Sequence, residues 1–109
     1  MHGTIKSSTE ISDIFSKGER LDTAFITLLV SPRHGQPGRV AFIAGKRNGN
    51  AVWRNSAKRR MREISRELGA PWEGFDVVFL AKKRTTRASY SKVLQACKKS
   101  VDSFAKRSM

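Results

Sequence analysis

Residues 39–81 read RVAFIAGKRNGNAVWRNSAKRRMREISRELGAPWEGFDVVFLA, and they parse as strand, helix, strand. Arg39 to Ala44 is a β-branched and aliphatic run, and the mostly apolar Phe75 to Ala81 predicts a strand that is central or covered on both faces. Between them, Gly49-Asn50 signals a turn, and a helical pattern runs to Leu68, where Gly69 and Pro71 close it. At about 100° per residue from Arg54, the apolar Ala57, Met61, Ile64 and Leu68 fall in a narrow stripe near 280–340°. Arg54, Lys58, Arg62 and Arg66 fall between 0° and about 120°, with Asn55 and Arg59 in or beside that sector. The helix therefore has one stripe for docking on a sheet and one face of stacked cations. Glu63 and Glu67 lie beyond the cations and read as intrahelical ion-pair partners.

Working outward, Ser7-Ser8-Thr9-Glu10 has capping-box spacing, and Ile11, Ile14 and Phe15 follow on one helical face until Gly18. Thr23 to Val30 reads as a strand joined to Arg39 to Ala44 by a Pro/Gly-rich connection, Ser31 to Gly38, so the two predict an antiparallel pair. A last helix starts near Ser89, with Tyr90, Val93, Leu94, Cys97, Val101 and Phe104 along one stripe. Cys97 falls inside that stripe and reads as a buried structural thiol. No repeat, low-complexity tract or long linker divides the chain, so residues 1–109 are expected to form a single mixed α/β domain.

The 109 residues carry 22 Lys+Arg against 9 Asp+Glu, a net charge of +13, which implies a polyanionic partner. The charge is segregated. Five basic and four acidic residues precede Gly45, a net +1, whereas 17 basic and five acidic residues follow it, a net +12. A hydrophobic share of 39% supports a modest core and argues against wholesale disorder. No apolar run reaches the roughly 20 residues of a membrane span, and Met1-His2-Gly3 opens no secretory signal, so the expected setting is the cytoplasm. His2 stands at the terminus and His34 in the Pro/Gly-rich connection, so they predict no acid/base pair, and no carboxylates cluster as a two-metal nuclease requires. A strand, not a helix, precedes Arg54, which argues against a helix-turn-helix and against DNA.

The cations themselves point to a phosphate backbone, that of RNA or DNA. Arginine dominates the face, and its planar fork suits bidentate phosphate contacts. Five or six cations on one face repel one another, a cost that an anionic partner removes. Asn50 and Asn55 add neutral groups able to reach a base edge or ribose hydroxyl; a turn and a helix cap are their structural alternatives. The Gly49-Asn50 turn would hold Lys46 and Arg47 beside the helix start.

Gly49-Asn50-Ala51-Val52, then Arg54-Asn55, Lys58-Arg59 and Arg62-Glu63 resemble the signature of the bacterial ribonuclease P protein subunit family. The order of the remaining elements agrees along nearly the whole chain. Ser56 stands where the family commonly has a further basic residue, Asn48 where an aliphatic is usual, and Ile11 where an aromatic is common. The resemblance implies a two-layer α/β sandwich with three helices on a small mixed sheet, in the order α-β-β-α-β-α. It also implies a left-handed β-α-β crossover, which periodicity alone does not predict. It implies further that a Mg2+-dependent catalytic RNA is the chemical engine. The protein would bind that RNA through Lys46, Arg47, Asn50, Arg54, Asn55, Lys58, Arg59, Arg62 and Arg66, and would assist removal of the 5′ leader of precursor tRNA. Mg2+ would be held mainly by the RNA and substrate. The resemblance places the leader in a cleft between the first helix and the sheet, where Phe15 would stack on an unpaired base. Phe25 or Phe42 would join it if their strand faces point there, and Trp53 is open between stacking and packing. A ribosomal or other structural RNA-binding protein shares the charge and the basic helix; the spaced Asn50, Arg54, Asn55, Lys58 and Arg59 separate the two readings.

Overall fold

The computed structural model describes residues 3–5, 8–32, 37–70 and 72–108. In chain order these form strand β1 (Gly3–Thr4), helix α1 (Ser8–Lys17), strands β2 (Glu19–Asp22), β3 (Ile26–Pro32) and β4 (Arg39–Ile43), helix α2 (Ala51–Leu68), strand β5 (Phe75–Ala81) and helix α3 (Tyr90–Ser108). Short 3₁₀ turns stand at Lys46–Asn48 and Lys83–Thr85. His2, Ser7 of the capping box, His34 and Pro71 lie outside the described residues. The α-β-β-α-β-α order holds, with the short β1 and β2 added at the sheet edges.

The strands form one mixed sheet in the order β1-β4-β5-β3-β2. β5 lies antiparallel to β3, with Leu28 opposite Phe79, and parallel to β4, with Val40 opposite Val77. β3 and β4 are therefore not hydrogen-bonded to each other, although they do run in opposite directions, and the expected pairing is corrected. The reason lies in β5 itself: Val77, Val78 and Phe79 are all fully buried, so this strand needs cover on both faces and takes the centre. The sequence from Thr23 to Phe25 is likewise not strand. The Thr23 hydroxyl accepts the backbone N–H groups of Phe25 and Ile26, at 3.1 and 2.9 Å, and closes the turn between β2 and β3.

Strand alternation divides the interior in two. Leu28, Val30, Val40, Val77 and Phe79 meet Ala57, Met61 and Ile64 of α2 and Val93 and Cys97 of α3. On the other face Leu29, Ala41 and Val78 meet Ile14 of α1, with Ile5 and the partly buried Ile11. The sheet and the α2/α3 layer thus form the expected sandwich, and α1 adds cover on the opposite side. α1 is held there by Arg39, which donates to both carboxylate oxygens of Asp76, at 3.2 and 2.8 Å, and also pairs with Glu10 of α1. The bonds to Asp76, and then to Glu10, raise the Arg39 pKa above its ordinary value, so the charge is permanent. Gly38 precedes this strand because a Cβ there would lie 2.1 Å from the Trp72 carbonyl oxygen and 2.6 Å from that of Phe75.

Candidate RNA interface

α2 starts at Asn50, whose Oδ1 accepts the Trp53 backbone N–H at 3.0 Å, and ends at Gly69 in the left-handed conformation, φ 76°. Asn50 therefore takes the capping role, while its side chain stays exposed at the helix entrance. The preceding Gly49 lies under the Trp53 ring, where a Cβ would come within 2.8 Å of it. Trp53 packs against the core, and its indole N–H donates to the Thr86 hydroxyl at 3.1 Å. Packing is thus the observed role of that ring.

Around its axis the helix shows three faces. Ala57, Met61 and Ile64 are fully buried, as the periodicity predicts. The flank toward α3 is tied down: Arg60 donates to the carbonyl oxygens of Thr85 and Ala88, at 3.1 and 2.6 Å, and its guanidinium stands 5.9 Å from the Tyr90 ring centre. Glu67 and Glu63 sit on the same flank, and burial together with their charges raises the Tyr90 pKa. Both acids thus face Tyr90, and among the described residues neither joins the ion pairs found.

The third face carries the expected ladder. Asn55, Arg59, Arg62 and Arg66 are exposed, Arg54 and Lys58 are half-buried, and Lys46 and Arg47 are exposed on the 3₁₀ turn beside the helix start. Arg62 lies 5.9 Å above the Phe42 ring, which orients the ladder toward the β4 side of the sheet. Among the described residues no carboxylate pairs with Arg54, Lys58, Arg59, Arg62 or Arg66. The structure therefore brings together the basic residues singled out in the sequence, with both acids facing Tyr90 and Glu63 at the border, where it lines a recess with Arg59 without pairing to it.

The three phenylalanines are not brought together. Phe15 is 42% exposed on α1. Phe42 packs on the opposite side of the sheet, its ring 5.4 Å from that of Phe79, because Ala41 and Ile43 on either side of it turn toward α1. Phe25 also packs on the α2/α3 side, where its carbonyl accepts the Thr85 hydroxyl at 2.6 Å. Only Phe15 remains where a cleft beside α1 could use it. The sequence reading missed Arg60 as the clamp between α2 and the Lys83–Thr85 turn, because its acceptors are backbone carbonyls that no side-chain pattern announces. Among the described residues no three His, Cys, Asp or Glu side chains gather as a metal site, and no helix is long and apolar enough to cross a membrane.

The Ribonuclease P family pattern matches residues 2–105. The ribonuclease P protein component of Natranaerobius thermophilus is 35% identical over 91 residues, covering 82% of this chain and 78% of the relative. That of Kocuria rhizophila is 31% identical over 104 residues, covering 94% and 92%. Among solved structures, the RNase P protein of Staphylococcus aureus superposes with a TM-score of 0.79 at 18% identity, covering 94% of each chain. The RNase P protein of Thermotoga maritima gives 0.74 at 24% identity, covering 88% of this chain and 92% of that one.

Proposed function

The chain belongs to the ribonuclease P protein family, and from that premise we propose that its α2 ladder docks on the catalytic RNA while Phe15, on the exposed side of α1, receives the unpaired 5′ leader of precursor tRNA. The family's role is tRNA 5′ maturation together with an RNA subunit, as part of the holoenzyme that cleaves tRNA precursors, and that is the role of this chain. A ribosomal or other structural RNA-binding role is not favoured.

The observation that carries the docking reading is the cationic face of α2, whose ladder residues pair with no carboxylate among the described residues, Glu63 and Glu67 lying toward Tyr90. Arg54, Arg59, Arg62 and Arg66 can each fork onto a phosphate, Lys58 adds a point charge, and Lys46 and Arg47 extend the row beyond the helix start. Asn55 reaches base edges or ribose hydroxyls from within the row, and Asn50, which caps through Oδ1, keeps both N–H donors of its side-chain amide. Phe15 supplies a stacking platform that is indifferent to base identity. Protein side chains do not perform the hydrolysis. Mg2+ would be held mainly by the RNA and substrate, where it would supply charge neutralisation and an activated water. The setting is the cytoplasm, with RNA rather than DNA or membrane as the partner.

The test is a binding titration of a bacterial ribonuclease P RNA, with duplex DNA and an unrelated structured RNA as competitors. Retention of the ribonuclease P RNA against both competitors is expected, together with weakening in an Arg54→Gln/Lys58→Gln/Arg62→Gln variant. Equal displacement by either competitor, or an unaffected variant, contradicts the docking reading.

A further inference from the structure

The α2 ladder accounts for only part of the chain's positive charge. Residues 46–69 hold eight basic and two acidic residues, a net +6, whereas residues 82–107 hold nine basic residues and one acidic residue, a net +8. Two of those nine are occupied: Lys82 pairs with Asp22 at 2.7 Å, and Arg107 with Glu19 at 2.6 Å. The other seven, Lys83, Arg84 and Arg87 around the turn and Lys92, Lys98, Lys99 and Lys106 on α3, are exposed and make no ion pair among the described residues.

Their spacing on α3 is regular. Lys92, Lys99 and Lys106 recur every seven residues, so they form one line along the helix, roughly 10.5 Å apart, opposite the stripe of Val93, Cys97 and Phe104 that faces the core. Beside this line a shallow recess of about 460 Å³ is lined by Gln95, Lys98, Lys99, Asp102, Ser103 and Lys106. Asp102 is the only carboxylate among these six, and three lysines surround it. Asp102 stands four residues from both Lys98 and Lys106, but it is one acid against the four lysines at 92, 98, 99 and 106, so the face keeps a net positive charge that an anionic partner would offset. α2 and α3 pack on the same sheet face, so one large polyanion can reach both.

We propose that the outer face of α3 is a second RNA-binding surface, an unselective contact on the phosphate backbone of the RNA that the α2 ladder engages. The proposal rests on the RNA-docking reading of α2. Its chemistry differs from that of the ladder. Lysine ammonium groups on flexible stems act as point charges without the planar fork that fixes geometry, so they add affinity and salt dependence and little discrimination.

The experiment uses the full chain carrying Lys92→Gln/Lys99→Gln/Lys106→Gln, compared with the parent and with Arg54→Gln/Lys58→Gln/Arg62→Gln. Affinities for ribonuclease P RNA and for an unrelated structured RNA are measured across a salt series, and thermal melting confirms the fold. Loss of three phosphate contacts lowers the slope of log affinity against log salt by about 2, equally for both RNAs. The ladder variant loses more on ribonuclease P RNA than on the unrelated RNA. An unchanged slope in the α3 variant beside a weakened ladder variant overturns the second surface and leaves the docking reading intact. Unchanged binding in both variants overturns the docking reading itself. A loss in the α3 variant confined to ribonuclease P RNA contradicts an unselective contact.

Discussion

α2 and α3 are built to one plan and finished differently. Each lays fully buried residues on the same face of the sheet, Ala57, Met61 and Ile64 from one helix and Val93 and Cys97 from the other. Each turns cations to solvent. On α2 these are mostly arginines interleaved with asparagine and not ion-paired with Glu63 or Glu67; on α3 they are lysines, of which Lys92, Lys99 and Lys106 keep a seven-residue spacing and Lys98, Lys99 and Lys106 surround Asp102. Net charge does not distinguish the helices, but hydrogen-bonding geometry does. An arginine fork beside an amide can read the shape of a folded RNA, whereas separated ammonium groups mainly sense its charge.

The strongest way to break this comparison is to attack the shared buried plan. Ala57→Asp places a carboxylate at a site with no exposure, and a loss of about 4 kcal/mol or more is expected in denaturant unfolding. Near-normal stability would mean that the α2 register is wrong and that the ladder faces elsewhere. A finer cut separates the two solvent faces. Arg59→Ala should weaken binding of ribonuclease P RNA by about 1–3 kcal/mol without altering the melting temperature. Lys99→Ala should cost less, and equally on any structured RNA. Reversal of that order in a filter-binding assay would remove the distinction between the helices.

How far these features were legible depended on how local their causes are. The α2 stripe and ladder are properties of a 3.6-residue period, so Ala57, Met61 and Ile64 and the cations opposite them could be placed from the sequence. The partner of β4 could not, because a Pro/Gly-rich connection reads as a hairpin whether or not a later strand inserts between its arms. The apolar run of β5 carried the hint, since a strand buried on both faces belongs at the centre. The face of Phe42 was equally hidden: Arg39–Ile43 is too uniformly apolar after Arg39 for alternation to declare a side. The roles of Arg60 and Trp53 depend on Thr85, Thr86 and Ala88, more than 24 residues away, and only folding brings these together.

Two smaller effects sharpen the account of how each helix is seated. Gly49→Ala pushes a methyl group into the Trp53 ring, and a loss of about 1–2 kcal/mol is expected in thermal unfolding, with altered tryptophan fluorescence. An unperturbed spectrum would show that Trp53 does not need that glycine. On α3, burial pushes the Cys97 thiol up from about 9 to about 12. The folded pKa lies above the unfolded one, so the contribution to stability is complete below pH 9 and declines as pH rises toward 12. The decline attributable to this thiol should be about 1 kcal/mol by roughly pH 10 and absent in Cys97→Ala, and a thiol reagent should not modify the folded protein at neutral pH. Rapid modification would place α3 in a different register.

The most direct measurement is cleavage of a precursor tRNA by a bacterial ribonuclease P RNA at low Mg2+, alone, with this protein, and with the Arg54→Gln/Lys58→Gln/Arg62→Gln variant, beside a protein-only control. The predicted result is 5′ processing restored by the parent protein, much reduced with the variant, and absent without the RNA. Cleavage by the protein alone, or equal rescue by parent and variant, would contradict the claim that α2 serves a catalytic RNA through its cationic face.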